Sequence, residues 1–314
     1  EQNQKCGAHG LNPGAGLTGD AMIQYNSIQE IVEAAEKAGI KISELCLKDQ
    51  AVQLGISEED LYRELEKDFD VMIEAADWGQ QPGRISRSGL TGEEGYRMKQ
   101  YAETKGGLTG SLMTKAMARA LAVSNCNAAM GRIVATPTAG SCGILPGCLV
   151  PMYEDRNFPK RDVVMSIFTA GAFGMVIATN ACIAGAQGGC QAECGSAAGM
   201  AAAALVELMG GTPTQCADAL GMVIVNELGL VCDPVAGLVE IPCIKRNAAG
   251  VILAYACADM ALADIGLKIP ADECILAMKE VGDQMHEGLK ETAGGGLATT
   301  PTGRRLKEQV FGKD

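Results

Sequence analysis

Cysteine is the residue type with the most chemistry to offer in this sequence, which carries 13 of them against 2 histidines. Thiolates are soft ligands, suited to zinc, copper(I) and iron–sulfur clusters. Three cysteines stand where an apolar, small-residue segment meets a glycine or proline break. They are Cys190 in Gly-Gly-Cys-Gln-Ala-Glu, Cys232 in Gly-Leu-Val-Cys-Asp-Pro-Val-Ala-Gly, and Cys243 in Val-Glu-Ile-Pro-Cys-Ile-Lys-Arg-Asn-Ala. Three thiolates can hold an iron–sulfur cluster and leave one iron free as a Lewis acid. Cys190 and Cys194 are one helical turn apart and can share a face. Asp233-Pro234, a turn-forming pair, can fold Cys232 back toward Cys243. Cys142 and Cys148 are poorly spaced for one metal. No Cys-x-x-Cys occurs, which removes the usual ferredoxin and zinc-ribbon spacings. Spacing alone leaves two readings open: a metal site, or thiols buried as small apolar side chains. It does not choose ligands among the thirteen.

The other chemistry-bearing features are fewer. His9 and His286 cannot build a His-rich centre, and a Ser-His-Asp triad is not expected. His286 reads as a surface or cap residue. Four Gly-rich loops stand out: Ser88-Gly-Leu-Thr-Gly, Gly107-Leu-Thr-Gly-Ser, Pro137-Thr-Ala-Gly-Ser-Cys-Gly and Gly294-Gly-Gly-Leu-Ala. Successive backbone N–H groups in such loops form anion nests, and helix N-termini add a positive end. A substrate carboxylate is a reasonable guest, with helix capping as the plain alternative.

The elements that must position these residues read as helices. Ile28, Ile31, Val32, Ala35 and Ala38 repeat at helical spacing, and the amphipathic pattern runs from Ser27 to about Ala76. Ser57 before Glu58-Glu59-Asp60 reads as an N-cap with an acidic first turn. The helix after it carries Leu61, Leu65, Phe69 and Met72 on one face. Thr91 and Glu94 read as a capping box starting a helix near Gly92. A further helix should run from the loop at 106–111 to about Met130. Helices are then expected over 141–153, 160–182, 190–210, 213–229, 243–265 and 270–288. Thr212-Pro213-Thr214-Gln215 is a strong start signal, and Pro270 suggests the same N1 role. Only 133–135 and 239–241 suggest short extended pieces. The expected fold is all-α, a compact multi-helix domain with central helices buried on all sides.

Composition narrows the function classes. The chain has 314 residues, 47% of them hydrophobic and 20% charged, which is globular composition. Its net charge of −12 and lack of a long basic run argue against nucleic acid and anionic membrane as partners. The cysteine spacings do not suggest a secreted disulfide scaffold, so a reducing cytoplasm is expected. Residues 164–186 carry no charge and could span a bilayer by length. They lack leucine and flanking aromatic belts, so a buried helix is expected there. A membrane or scaffold protein built on that helix is the non-enzymatic alternative. Residues 1–21 read as a flexible arm or an appended remnant, with Met22 a possible natural start.

Four segments together carry a resemblance. They are Asn127-Ala-Ala-Met-Gly-Arg-Ile-Val-Ala-Thr-Pro-Thr-Ala-Gly-Ser-Cys-Gly and the three segments around Cys190, Cys232 and Cys243. These closely resemble the alpha chain of the iron–sulfur-dependent L-serine dehydratases, from about residue 24 to the C-terminus. The resemblance implies an all-α catalytic domain over 22–314 and a [4Fe–4S] cluster on Cys190, Cys232 and Cys243. It implies L-serine as substrate, with pyruvate and ammonia as products. Some single-chain relatives cap the fourth iron with a C-terminal cysteine, whereas this chain ends Val-Phe-Gly-Lys-Asp. The Ser-Ser-His-Thr motif of the family's beta region is also missing here. A separate beta subunit is therefore implied, with a higher oligomer possible. Lys245, two residues from Cys243, is the candidate base if burial or nearby positive charge lowers its pKa. Glu193, Glu240 and the partner chain are rivals for that role. Ser88, Thr91, Thr138 and Ser141 are candidate substrate contacts, and Asn127 is expected to bond backbone near the loop it precedes. A cluster-dependent L-cysteine desulfidase is the alternative activity. A pyridoxal-phosphate dehydratase using Gly294-Gly-Gly-Leu as a phosphate loop is a further rival, disfavoured by the helical pattern.

Overall fold

The structure is a computed structural model that describes residues 25–312. The expected arm at 1–21 lies outside the described residues, as do Cys6 and His9. The helices in chain order are α1 (Ile28–Ala38), α2 (Ile42–Leu54), α3 (Glu58–Gly79), α4 (Glu94–Lys105), α5 (Ser111–Ala128), α6 (Ile144–Glu154) and α7 (Lys160–Asn180). They continue with the single turn α8 (Gly185–Gly188), then α9 (Ser196–Leu208), α10 (Pro213–Glu227), α11 (Cys243–Leu262), α12 (Ala271–Gln284) and α13 (Pro301–Phe311). A π-helical turn, Gln191–Gly195, leads into α9. Among the described residues β pairing is limited to two isolated bridges, Ile85 with Gly92 and Cys232 with Lys290. The fold is all-α.

Local chemistry sets most of the boundaries. The Ser57 hydroxyl accepts from the Asp60 amide at 3.0 Å and starts α3. Thr212 and Gln215 form the reciprocal capping box of α10, with Pro213 in its first turn. Gly39 and Gly55 adopt the left-handed conformation that ends α1 and α2. They split the amphipathic stretch before Ser57 into two helices. Pro270 is the residue before α12, not its first residue.

Three local expectations are corrected. Thr91 does not cap a helix, because its hydroxyl donates to Glu240 at 2.5 Å. The helix starts at Glu94 instead, and the Glu94 carboxylate accepts from the Gly92 amide. Residues 239–241 form a turn, and 133–135 pair with no strand. Helix α13 is an element that the hydrophobic pattern did not reveal. Its start signal is nonetheless the one seen at 212–213, a threonine cap (Thr300) followed by proline.

Helix α9 is the centre of the molecule. All of its residues are buried, and α6, α7, α10 and α11 pack around it. Its alanines and Gly199 let four neighbours approach one axis, as a helix apolar on every side requires. Its one ionisable residue, Glu207, is satisfied by the Ser43 amide at 3.1 Å and the Thr169 hydroxyl at 2.7 Å. The long apolar helix α7 lies against α9, α2 and α3, and two-thirds of its most apolar stretch is buried. It ends at Asn180, short of the uncharged segment's full extent, and reads as a core helix.

Two glycines fix the loop that joins α3 to α4. A Cβ on Gly79 would lie 2.5 Å from the Ala122 carbonyl carbon, and one on Gly95 2.6 Å from Ala122 Cα. The end of α3 and the start of α4 thus both close onto one point of α5. This clamps residues 80–93, which carry Ser88 and Thr91. We expect Gly79→Ala to lower stability by about 1–3 kcal/mol, as overpacking does. A denaturant midpoint equal to the parent's would show that the close approach is not needed.

Candidate metal centre

The three sulfur-bearing segments arrive from different directions. Cys190 follows α8 and immediately precedes the π-helical turn. That turn is pinned by Gln191, whose backbone amide donates to Leu230 O at 2.9 Å. Its buried side chain donates to Met278 O at 2.9 Å and accepts from the Gly229 amide at 2.8 Å. These bonds draw the 229–232 segment alongside Cys190. Cys232 is held in turn by the C-terminal region: its amide donates to Leu289 O, and its carbonyl accepts from the Glu291 amide, both at 2.8 Å. Cys243 is the first residue of α11, after the turn at 239–242.

The sulfurs meet in the interior. The Cys190 and Cys194 Sγ atoms are 3.3 Å apart, and Cys232 is near enough to Cys190 for each to shift the other's thiol. Cys243 is close enough to feel the charge of Cys190. All four residues are buried, and all twelve described cysteines are free thiols. The neighbouring Cys194 and Cys232 side chains hold the Cys190 thiol well below its usual range, with the Arg246 guanidinium assisting. Burial and the charge on Cys190 push Cys243 up to about 12.

Cys194 and Arg246 were not singled out from the sequence. Cys194 was placed on the same helical face as Cys190, but nothing in the spacing gave it a role. Arg246 sits three residues past Cys243 and is only 16% exposed along its side chain. Its Nη1 donates to Val231 O at 2.8 Å and its Nη2 to Asp233 Oδ1 at 2.9 Å. The second Asp233 oxygen accepts from the Leu297 amide at 2.7 Å. The Gly294-Gly-Gly-Leu loop is therefore docked on a carboxylate, an arrangement that suits a strut better than a phosphate cradle.

Beside the sulfurs lies a carboxylate and hydroxyl cluster. Glu193, on the π-helical turn, has an oxygen within 4.8 Å of both Cys190 Sγ and Cys194 Sγ. Burial pushes its carboxyl up to about 7, against the pull of the hydrogen bond from the Thr138 hydroxyl. Thr138 also lies 3.1 Å from Ser141 Oγ. A Cβ on Gly140 would lie 2.5 Å from Glu193 Oε1, so only glycine lets this loop lie against the carboxylate. Asn247, also unmarked by sequence, locks the loop to α11. Its Oδ1 accepts from the Gly143 amide at 2.9 Å, and its Nδ2 donates to Gly140 O at 2.7 Å and Cys243 O at 2.9 Å. Asn127 bonds Ala139 O at 3.1 Å, the structural role expected of it. In the same loop the buried Thr136 hydroxyl has no partner, an orphan that a bound polar group would satisfy.

The remaining candidates fall into a second group. Ser88 and Thr91 both donate to Glu240, at 2.7 and 2.5 Å. Glu240 accepts from the Ile244 amide through its backbone, which brings this pair to the start of α11. Lys245 is 56% exposed and pairs with Glu94 at 2.6 Å. Asn125 holds that carboxylate from the other side at 2.7 Å. Lys245 is thus a largely exposed, ion-paired side chain rather than a buried one. His286 caps the short turn at 287–289, accepting from the Gly288 amide at 3.0 Å.

The donor set fits an iron–sulfur cluster. Cys190, Cys194, Cys232 and Cys243 are buried soft donors near the Arg246 charge, and all are free thiols. Cys190, Cys232 and Cys243 would hold it, and Arg246 and Glu193 would border it.

Comparison with known proteins identifies a family. The family described as "Serine dehydratase alpha chain" matches residues 37–298. The chain is 46% identical over 288 residues to a Bacillus subtilis protein named "Probable L-serine dehydratase, alpha chain", covering 92% of this chain and 96% of that one. It is 44% identical over 286 residues to the "L-serine dehydratase, alpha chain" of Peptoniphilus asaccharolyticus, covering 91% and 98%. A Mycobacterium tuberculosis protein named "L-serine dehydratase" is 37% identical over 294 residues, covering 88% of this chain but 61% of its own length. By the extent and strength of these matches, the chain belongs to the serine dehydratase alpha-chain family.

Proposed function

We propose that this chain is the cluster-bearing subunit of a cytoplasmic L-serine ammonia-lyase that converts L-serine to pyruvate and ammonia. The observation that supports the reading is that Cys190, Cys232 and Cys243 are all buried on segments joined by the Gln191-to-Leu230 and Val235-to-Ile241 backbone bonds, with Glu193 close to Cys190. A [4Fe–4S] cluster bound by those three thiolates would supply a vacant iron as a Lewis acid for the departing hydroxyl. The domain that does this work is taken as residues 22–314.

Dehydration requires a base for the weakly acidic α-proton. Glu193 suits that role by position, since its carboxylate borders the sulfurs and is oriented by Thr138. Lys245 is better suited to holding Glu94, and through it the start of α4. The loop at 137–143 presents Thr138 and Ser141 to the same space, where they can bind the substrate's polar groups. Ser88 and Thr91 form a second pair of contacts, available if substrate displaces Glu240 from their hydroxyls. Loss of the α-proton and the hydroxyl gives aminoacrylate, which tautomerises to the imine and hydrolyses to pyruvate and ammonia.

A separate beta subunit is part of this proposal. The chain spans nearly all of the relatives named alpha chain but 61% of the longer one named simply L-serine dehydratase. The extra length of that relative is the natural counterpart of a second chain.

Anaerobic iron and sulfide analysis, with pyruvate assayed from L-serine, tests the function directly. Cys190→Ala, Cys232→Ala and Cys243→Ala should each abolish the brown iron–sulfur absorbance, and Cys148→Ala should leave it intact. Full cluster content in any of the first three removes that residue from the ligand set. Activity should be lost in air and return with ferrous iron and thiol, so survival through oxygen and chelator would contradict the cluster. For the base, Glu193→Gln should lower kcat by about 10²–10⁴-fold with cluster content unchanged. Lys245→Met should retain most of the activity. The opposite ranking of these two variants would return the role to Lys245.

A further inference from the structure

We propose that Arg246 is a positioning residue that ties the Cys232 segment to the helix carrying Cys243 and sets the charge felt by the group these cysteines would hold. The inference rests on the cluster reading above. Arg246 belongs to α11, one turn beyond Cys243, and so travels with that ligand. Its fork donates to Val231 O at 2.8 Å and to Asp233 Oδ1 at 2.9 Å, the two residues on either side of Cys232. The charge of the same guanidinium also helps to hold the Cys190 thiol below its usual range. One side chain therefore ties the helix that carries Cys243 to both flanks of Cys232, beside the backbone bond from the Val235 amide to Ile241 O at 2.8 Å.

The chemistry of arginine suits this placement. Its planar fork offers several donors in fixed directions, where lysine offers a point charge. Asp233 is 5% exposed along its side chain and is anchored by Leu297, so the fork meets a rigid acceptor. Other nearby cations are committed elsewhere: Lys245 points away to Glu94. Arg246 thus supplies a buried positive charge against the anionic sulfurs. Hydrogen bonds and charge at cluster sulfurs govern the reduction potential, and groups that orient ligands govern metal affinity.

Two variants separate the roles of fork and charge. The full chain, Arg246→Met and Arg246→Lys are reconstituted anaerobically with ferrous iron and sulfide. Iron and labile sulfide per chain, the reduction potential from a dye-mediated titration, and the far-ultraviolet circular dichroism melt are then recorded. Arg246→Met should bind iron roughly 10–100-fold more weakly, and its residual cluster should have a more negative potential. Arg246→Lys should load as poorly but keep a potential close to that of the parent, because it keeps the charge and loses the fork. Should Arg246→Met fail to fold, Arg246→Lys decides: weakened loading supports the inference, and parental loading overturns it. Parental loading and potential in both variants also overturn it, while leaving the cluster itself in place. A parent chain that takes up no iron overturns the cluster reading and this inference together.

Discussion

A buried thiolate is stable only where donors or positive charge replace the water it has lost, and this molecule gathers several thiols at one interior point. A charge that favours the gathering comes from Arg246, whose guanidinium helps to hold the Cys190 thiol down while its donors are taken by Val231 and Asp233. A buried ion pair of this kind contributes little when intact. Breaking it by removing one partner costs about 3–5 kcal/mol, because the other is left uncompensated. The Arg246–Asp233 pair therefore constrains the fold more than it stabilises it. It requires the 231–233 segment and the start of α11 to be in place together. A π-turn at the point where Cys190 leaves α8 fits the tendency of such irregularities to occur at functional sites.

The scaffold meets that constraint by being built from small residues. Helix α9 is buried throughout, and its alanines allow neighbouring helices to come close without large side chains between them. Few aromatic residues are available, 4% of the chain, so packing relies on close backbone approach. Ala122 illustrates this, flanked by Gly79 on one side and Gly95 on the other. The tight contacts carry the Ser88–Thr91 loop and the 137–143 loop to the start of α11. There Glu240 and Asn247 fasten them by hydrogen bonds rather than by apolar contact.

Around the sulfurs the polar groups fall into paired sets, each with a carboxylate and its donors. Glu193 has Thr138, Glu240 has Ser88 and Thr91, and Glu94 has Asn125 and Lys245. Only the first set borders the thiols directly. Glu227 adds another buried carboxyl near Cys190, pushed up to about 6 by burial and by that sulfur's charge. Acidic groups held close to anionic sulfur favour keeping a proton, which is the condition under which a carboxyl can exchange one near neutral pH. The family to which the chain belongs, and relatives named for serine dehydration, place this arrangement in a lyase setting.

The sequence by itself determined the helical class and most element starts, because capping residues and apolar periodicity are local signals. Ser57, Thr212 with Gln215, and the 3.6-residue repeat in α1 act within a turn or two of themselves. Local signals misled where a side chain was claimed from far away. Thr91 has the spacing of a cap, but its hydroxyl is taken by Glu240, distant in sequence. The motifs around Cys190, Cys232 and Cys243 were legible as candidates, yet no spacing rule could choose them from thirteen cysteines without a family likeness. Only the tertiary structure brought those segments together, placed Cys194 within 3.3 Å of Cys190, and turned Glu193 toward the sulfurs and Lys245 toward Glu94. Arg246 and Asn247 read along the chain as ordinary helix residues. Their partners lie on other segments, and a hydrogen bond across the fold leaves no periodic mark in the sequence.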